Sequence, residues 1–144
     1  MEKWRIIIDT NLWISLLIGK KLSEIRTLCS RDTVSIYICE ELIKEFVRIA
    51  SREKIRKYAS EERATETVNL MKSSCIEVSI KNTVVSSQLR DANDLFLLAL
   101  ADIVKADYIL TGDKDLLTLQ FHNQTKIVTY EKFVRLLNEG KESI

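Results

Sequence analysis

Short apolar runs of strand length alternate with helical-period segments along the whole chain, and this alternation most limits the folds open to it. Residues 4–8 read WRIII and stop at Asp9. A continuous apolar run of that length suits a strand buried on both faces of a sheet. Residues 34–39 (VSIYIC) predict a second strand, residues 75–80 (CIEVSI) alternate as a third, and 108–110 and 126–129 supply two more. Helices are expected at 11–17, at 22–29 and at 40–52, where Leu42, Phe46, Ile49 and Ala50 recur at helical spacing. Ser60 caps a further helix with Glu61 and Glu62 in its first turn, ending near residue 72. Residues 94–105 are apolar all round, as in a helix buried against a sheet, and 130–138 form the last helix. The polar stretch 81–89 reads as a loop. Strands separated by helices in this order imply an α/β fold, a three-layer α/β/α sandwich with a mostly parallel central sheet.

The length of 144 residues fits a single domain, 1–144. Apolar residues at 46% and charged residues at 30% exclude intrinsic disorder, and no apolar run is long enough to span a bilayer. Three glycines and no proline argue against a many-turned β-sandwich. A net charge of +1 makes no general demand for a nucleic-acid partner, so such a partner has to come from local patches. Cys29, Cys39 and Cys75 are odd in number and set among apolar residues, which reads as reduced thiols in a cytoplasmic protein. No CxxC is present and His122 is the only histidine, which excludes a Cys/His zinc site. The first residues run straight into a strand without a signal-peptide pattern, so a cytoplasmic location and no membrane contact are expected.

Open parallel sheets bind ligands outside the carboxyl ends of their strands. There the first strand delivers Asp9, Thr10 and Asn11, and the strand ending at Leu110 delivers Thr111, Gly112 and Asp113, with Asp115 two residues on. The helix after the second strand carries Glu40, Glu41 and Glu45, and the apolar helix opens with Asp91 and Asp94. Carboxylates from four segments thus converge on one edge, with no Gly-rich phosphate loop, Ser-His-Asp order or paired histidines competing. Two unit charges ~4 Å apart at an effective dielectric of about 20 cost on the order of 4 kcal/mol, so such a group needs protons or cations. Hard divalent cations with oxygen ligands suit it, and they serve in-line displacement at phosphodiesters.

Each residue also has a plain structural alternative. Asp9 can cap the following helix, Asp91 and Asp94 can serve as cap and dipole partner, and Asp113 can be turn chemistry. Glu45 can be a solvated helix position, and Glu40 and Glu41 first-turn dipole residues.

The ordered set IIIDTN, EELIKEF, RDANDLFLLALA and ADYILTGDKDLL, closed by VTYEKFVRLL, resembles the PIN domain over nearly the whole chain, most closely the VapC-like toxin subgroup of type II toxin–antitoxin systems. The resemblance implies a ribonuclease dependent on Mg²⁺ or Mn²⁺. Its acidic quartet falls on Asp9, Glu45, Asp94 and Asp113, which would carry both catalysis and metal. Asn11 and Thr111 fall on the supporting polar positions, Asp115 and Asp91 on outer ones, and Asp91 competes with Asp94 for the third place. An RNA substrate, an antitoxin protein covering the active site and a homodimer are the implied partners.

Phosphate binding needs positive charge, and Arg48 and Arg52, beyond Glu45, are the candidates, with a solvated helix end as their alternative. Trp13 offers a base-stacking surface, with packing of its short helix the preferred alternative. Two other readings compete: a catalytically inactive PIN-like module binding RNA or protein, and a HAD-like phosphatase with Asp9 as nucleophile. The phosphatase wants a second aspartate two residues on, where this chain has Asn11.

Overall fold

In a computed structural model of the protein, residues 3–80 and 92–143 are described, with 92–94 and 140–143 described by backbone alone. The elements are β1 (Trp4–Ile8), α1 (Thr10–Ile18), α2 (Leu22–Cys29), β2 (Val34–Ile38), α3 (Glu40–Ala50), α4 (Glu53–Arg56), α5 (Glu61–Ser74), β3 (Ile76–Glu77), α6 (Ala92–Val104), β4 (Tyr108–Leu110), α7 (Lys114–Leu119), β5 (Phe121–His122), β6 (Thr125–Val128) and α8 (Tyr130–Ser143). The strands form one sheet in the order β3-β2-β1-β4-β6-β5, parallel except for the β5–β6 hairpin. Helices flank it, as the alternation predicts.

The apolar runs become the centre of the sheet. Ile6, Ile7 and Ile8 of β1 are fully buried, so both faces of this strand are covered. Each such side chain contributes roughly 1.5–3 kcal/mol of burial free energy. Tyr108, Ile109 and Leu110 of β4 are buried beside it, in register as Ile6 with Tyr108 and Ile8 with Leu110. Leu97 to Ala101 of α6 are all buried, which explains why that helix is apolar all round. Trp4, Tyr108 and Phe133 stack edge to face, with ring centroids 5.6 and 5.4 Å apart, and join the sheet to α8.

Several boundaries differ from the sequence expectation. The third strand, expected over 75–80, contracts to Ile76–Glu77. Cys75 is instead the C-cap of α5, and the two strand residues face solvent at the sheet edge. Alternation alone cannot tell a paired strand from an extended edge. The helix expected over 40–52 ends at Ala50, and α4 follows as a separate turn. Neither α7 nor β5 is expected from the sequence, because both are too short to show a period. The hairpin places Phe121 opposite Lys126 and His122 opposite Thr125, and its turn residue Asn123 takes a left-handed φ of 52°. His122 lies 3.1 Å from the Asp102 carboxylate, which ties the hairpin to the end of α6. The loop expected at 81–89 and Asp91 lie outside the described residues.

Candidate active site at the carboxyl edge of the sheet

The chain leaves β1 toward β2 on one side, whereas β4 lies on the other side. Successive strands diverge at this point, so the helices that follow leave a crevice, the usual ligand position in an open α/β sheet. Asp9 stands at the crevice. Its N–H donates to the Leu110 carbonyl at 2.9 Å and its carbonyl accepts from the Trp13 N–H at 3.0 Å. One residue therefore ends the strand pairing and starts α1. The Asp9 side chain forms no regular capping hydrogen bond onto α1, and the first amides of that helix are the weakest influences on its carboxylate.

That carboxylate is 3% exposed. Burial pushes its pKa up, the Thr111 hydrogen bond pulls it down, and the charge of Asp113 pushes it up again. The Asn11 and Thr10 amides lower it by the smallest contributions, leaving the group raised above its ordinary value. Thr111, 1% exposed, holds the group in place. Its N–H donates to the Val128 carbonyl at 3.0 Å, so the end of β4 fixes its backbone between β1 and β6. The Thr111 hydroxyl donates to Asp9 Oδ2 at 2.7 Å and accepts from the Asp113 N–H at 2.9 Å. A hydroxyl has one proton, and here it points at Asp9. Oδ2 thereby accepts one hydrogen bond and keeps a second lone pair, as Oδ1 keeps its own.

Asp113 is the N-cap of α7, and its Oδ1 accepts from the Asp115 N–H at 2.8 Å. Asp113 thus serves as a helix cap rather than as part of a plain turn, and the charge on Asp9 feels the same carboxylate. Asp115 is exposed in the first turn of α7, and Asn11 is exposed in the first turn of α1. Glu40 pairs with Lys44 at 3.0 Å on the surface of α3. Glu45 is half-buried on the second turn of the same helix. Asp94 lies in the first turn of α6, and α3 touches α6 as well as α1. Arg48 and Arg52 are exposed. Arg48 stands about 4.5 Å along the axis past Glu45 at 1.5 Å per residue, and Arg52 lies past the end of α3 as the N-cap of α4.

Asp9, Thr111 and Asp113 are thus brought together by hydrogen bonds and charge. Among the described residues, no three His, Cys, Asp or Glu side chains form a group able to hold a metal ion. The donor set still fits a hard cation, since Mg²⁺ is commonly held by one or two carboxylates completed by water and substrate phosphates. Sequence reading did not foresee that two polar atoms in the first turn of α1 would be buried. Among the described residues, the Thr10 hydroxyl and the Trp13 indole N–H have no hydrogen-bond partner. A hydroxyl and an indole directly after a buried acid were the available signal.

The sequence profile of the PIN domain matches residues 5–115. No curated protein matches the chain. Among solved structures, the VapBC2 complex from Rickettsia felis, bound to a DNA fragment from its promoter, is similar at TM-score 0.54 and 12% identity, over 85% of this chain and 96% of that one. The RRP44 PIN domain of T. brucei is similar at TM-score 0.53 and 13% identity, over 97% of this chain and 84% of that one. At such identities the likeness is one of fold.

Proposed function

This chain belongs to the PIN-domain family, a family of nucleases, and on that premise we propose that it is a divalent-metal-dependent endoribonuclease, the toxin of a toxin–antitoxin pair. The observation that carries the reading is the buried Asp9 carboxylate at the carboxyl end of the paired strands β1 and β4, whose following connections leave to opposite sides, with the Thr111 hydroxyl bonded to it and the charge of Asp113 acting on it. A buried acid beside a second acid is costly unless a proton or cation sits with it.

Asp9, Glu45, Asp94 and Asp113 would hold Mg²⁺ or Mn²⁺, with Asn11, Thr111, Asp115 and Asp91 supporting them. When bound, the cation neutralises the phosphodiester and makes water a better nucleophile for in-line attack. The chain's own residues prepare for this. Thr111 fixes Oδ2 of Asp9 through its hydroxyl. The Asp113 N–H fixes the Thr111 hydroxyl, and the Asp115 N–H fixes Asp113. Three links hold two carboxylates in one orientation before any ligand arrives. Arg48 and Arg52 would attract the RNA backbone, which makes binding salt-dependent.

The partners under this reading are RNA, an antitoxin protein and a second copy of the chain, in the cytoplasm. Among the described residues, no helix is long and apolar enough to cross a membrane. A second reading is a PIN-like module that binds without cutting. The phosphatase is not carried further, because position 11 holds an exposed Asn rather than a general acid.

The experiment is a Mn²⁺ titration of wild type and Asp9→Asn, followed by thermal shift and by cleavage of a mixed RNA pool. Stabilisation and cleavage in the wild type, both lost in the variant, are the expected result. Cleavage that persists in Asp9→Asn would overturn the site, and metal-induced stabilisation without cleavage would favour the binding module.

A further inference from the structure

The three free cysteines stand in different surroundings. Cys39 directly follows β2 and is fully buried; burial pushes its thiol up to about 12, which leaves it inert. Cys29 closes α2 and is half-buried, whereas Cys75 caps the C-terminus of α5 and is buried. These two helix ends meet. The Arg26–Glu66 pair joins α2 to α5 at 2.8 Å. Cys29 and Ser30 on one side, with Ser73 and Ser74 on the other, line an open groove of about 490 Å³. The two thiols are in hydrogen-bond contact with each other, although they are 46 positions apart (75 − 29).

We propose that Cys29 and Cys75 form an oxidisable dithiol that a peroxide closes into an intrachain disulfide across the α2–α5 contact, with Cys29 reacting first. The inference is independent of the nuclease reading, because neither thiol belongs to the carboxylate edge.

Access sets the order of reaction. Cys29 lines the groove and Cys75 lies behind it. The contact with the Cys75 thiol lowers the Cys29 pKa, against a smaller opposing effect of burial. The same hydrogen bond and burial push Cys75 up, so it keeps its proton. Arg26, one turn earlier on α2, adds positive charge at the groove, and its pairing with Glu66 tempers that. The C-terminal end of the α2 dipole works against an anion on Cys29. The arrangement therefore has an attacking thiol and a resolving thiol already in contact.

The chemistry balances in two steps. The Cys29 thiolate attacks one peroxide oxygen; an S–O bond forms, the O–O bond breaks, and the departing hydroxide takes up a proton as water. The Cys75 sulfur then attacks Cys29; an S–S bond forms, the S–O bond breaks, and the second water leaves with the Cys75 proton. Two thiols are oxidised and one hydrogen peroxide is reduced to two waters.

The test treats the reduced full chain with hydrogen peroxide, alkylates the remaining thiols and maps peptides by mass. The expected result is a loss of about 2 Da per chain, a Cys29–Cys75 linked peptide within one chain, and a Cys39 that is alkylated only after unfolding. Thiols that all remain alkylatable, linkage between chains, linkage through Cys39, or sulfinic acid on Cys29 without linkage would each overturn the proposal. In Cys75→Ser, Cys29 should stop at the sulfenic acid and be captured by a cyclic 1,3-dione; no capture there would overturn the assigned order. The wild-type map keeps its force even if that variant folds poorly.

Discussion

Two polar contacts of nearly equal length show how differently the molecule treats its centre and its flank. At the carboxyl edge of the sheet, the Thr111 hydroxyl meets Asp9 at 2.7 Å with both residues buried. On the flank, Arg26 meets Glu66 at 2.8 Å with both side chains more than half exposed, at 53% and 55%. Length does not separate them, but surroundings do. Water screens the flank pair and competes for its hydrogen bonds, so such pairs contribute about 0–1 kcal/mol. The buried contact has no water to fall back on, and leaving its carboxylate unsatisfied costs about 1–3 kcal/mol or more. The centre therefore holds its geometry rigidly, whereas the flank ties two helices together loosely.

The sharpest way to break this contrast is Asp9→Asn. Under the proposed function it should lower metal-dependent RNA cleavage by at least about 100-fold, the scale expected when a ligand carboxylate of a metal site is lost. Its fold should survive, because the amide can still accept from Thr111; far-ultraviolet circular dichroism checks that. Next in size is Thr111→Val, which keeps the shape and removes the hydroxyl. It leaves Asp9 Oδ2 and the Asp113 N–H without their partner, and denaturant titration should show a loss of about 1–3 kcal/mol. Thr111→Ser should restore most of it, and a Val variant as stable as wild type would contradict the rigid centre.

A subtler prediction concerns pH. The folded-state pKa of Asp9 is raised, so the folded chain holds its proton more tightly than the unfolded chain does. Its contribution to stability is therefore fully present below the unfolded pKa and is lost as pH rises through the folded one. In metal-free buffer, stability curves from the acidic carboxylate range to neutrality should fall for wild type relative to Asp9→Asn, and Asp9→Asn should be the more stable at neutral pH. A difference of the opposite slope would mean that Asp9 is held as an anion without a cation. The smallest effect belongs to the flank: Arg26→Ala should change stability by less than about 1 kcal/mol and become silent at high salt.

Much of the fold can be read in particular residues. Residues 6–8 are isoleucine without a break, which only a strand covered on both faces can accommodate, and β1 is that strand. The apolar helix that became α6 is legible for the same reason. The α7 helix and the β5 strand are not, since six and two residues hold too few positions for a period to appear. The exposed β3 misled in the other direction, since its alternation continues beyond the two residues that pair with β2.

The candidate site divides along the same line. The chain order places Asp9 after a strand and Asp113 after another, and parallel connections bring strand ends to one edge. That much is local pattern plus topology. Sequence could not say that Thr111 gives its single proton to Asp9, that Asp113 caps α7 while acting on Asp9, or that Cys29 meets Cys75. Those facts join residues far apart in the chain, as with Asp9 and Thr111 at 102 positions. Periodicity reports which face of an element is apolar, and so the sequence by itself determined the layers and the sheet edge at which Asp9 and Asp113 stand. Which atoms touch, and how strongly burial shifts their protons, depends on distances and on the exclusion of water, and only the tertiary structure decided that.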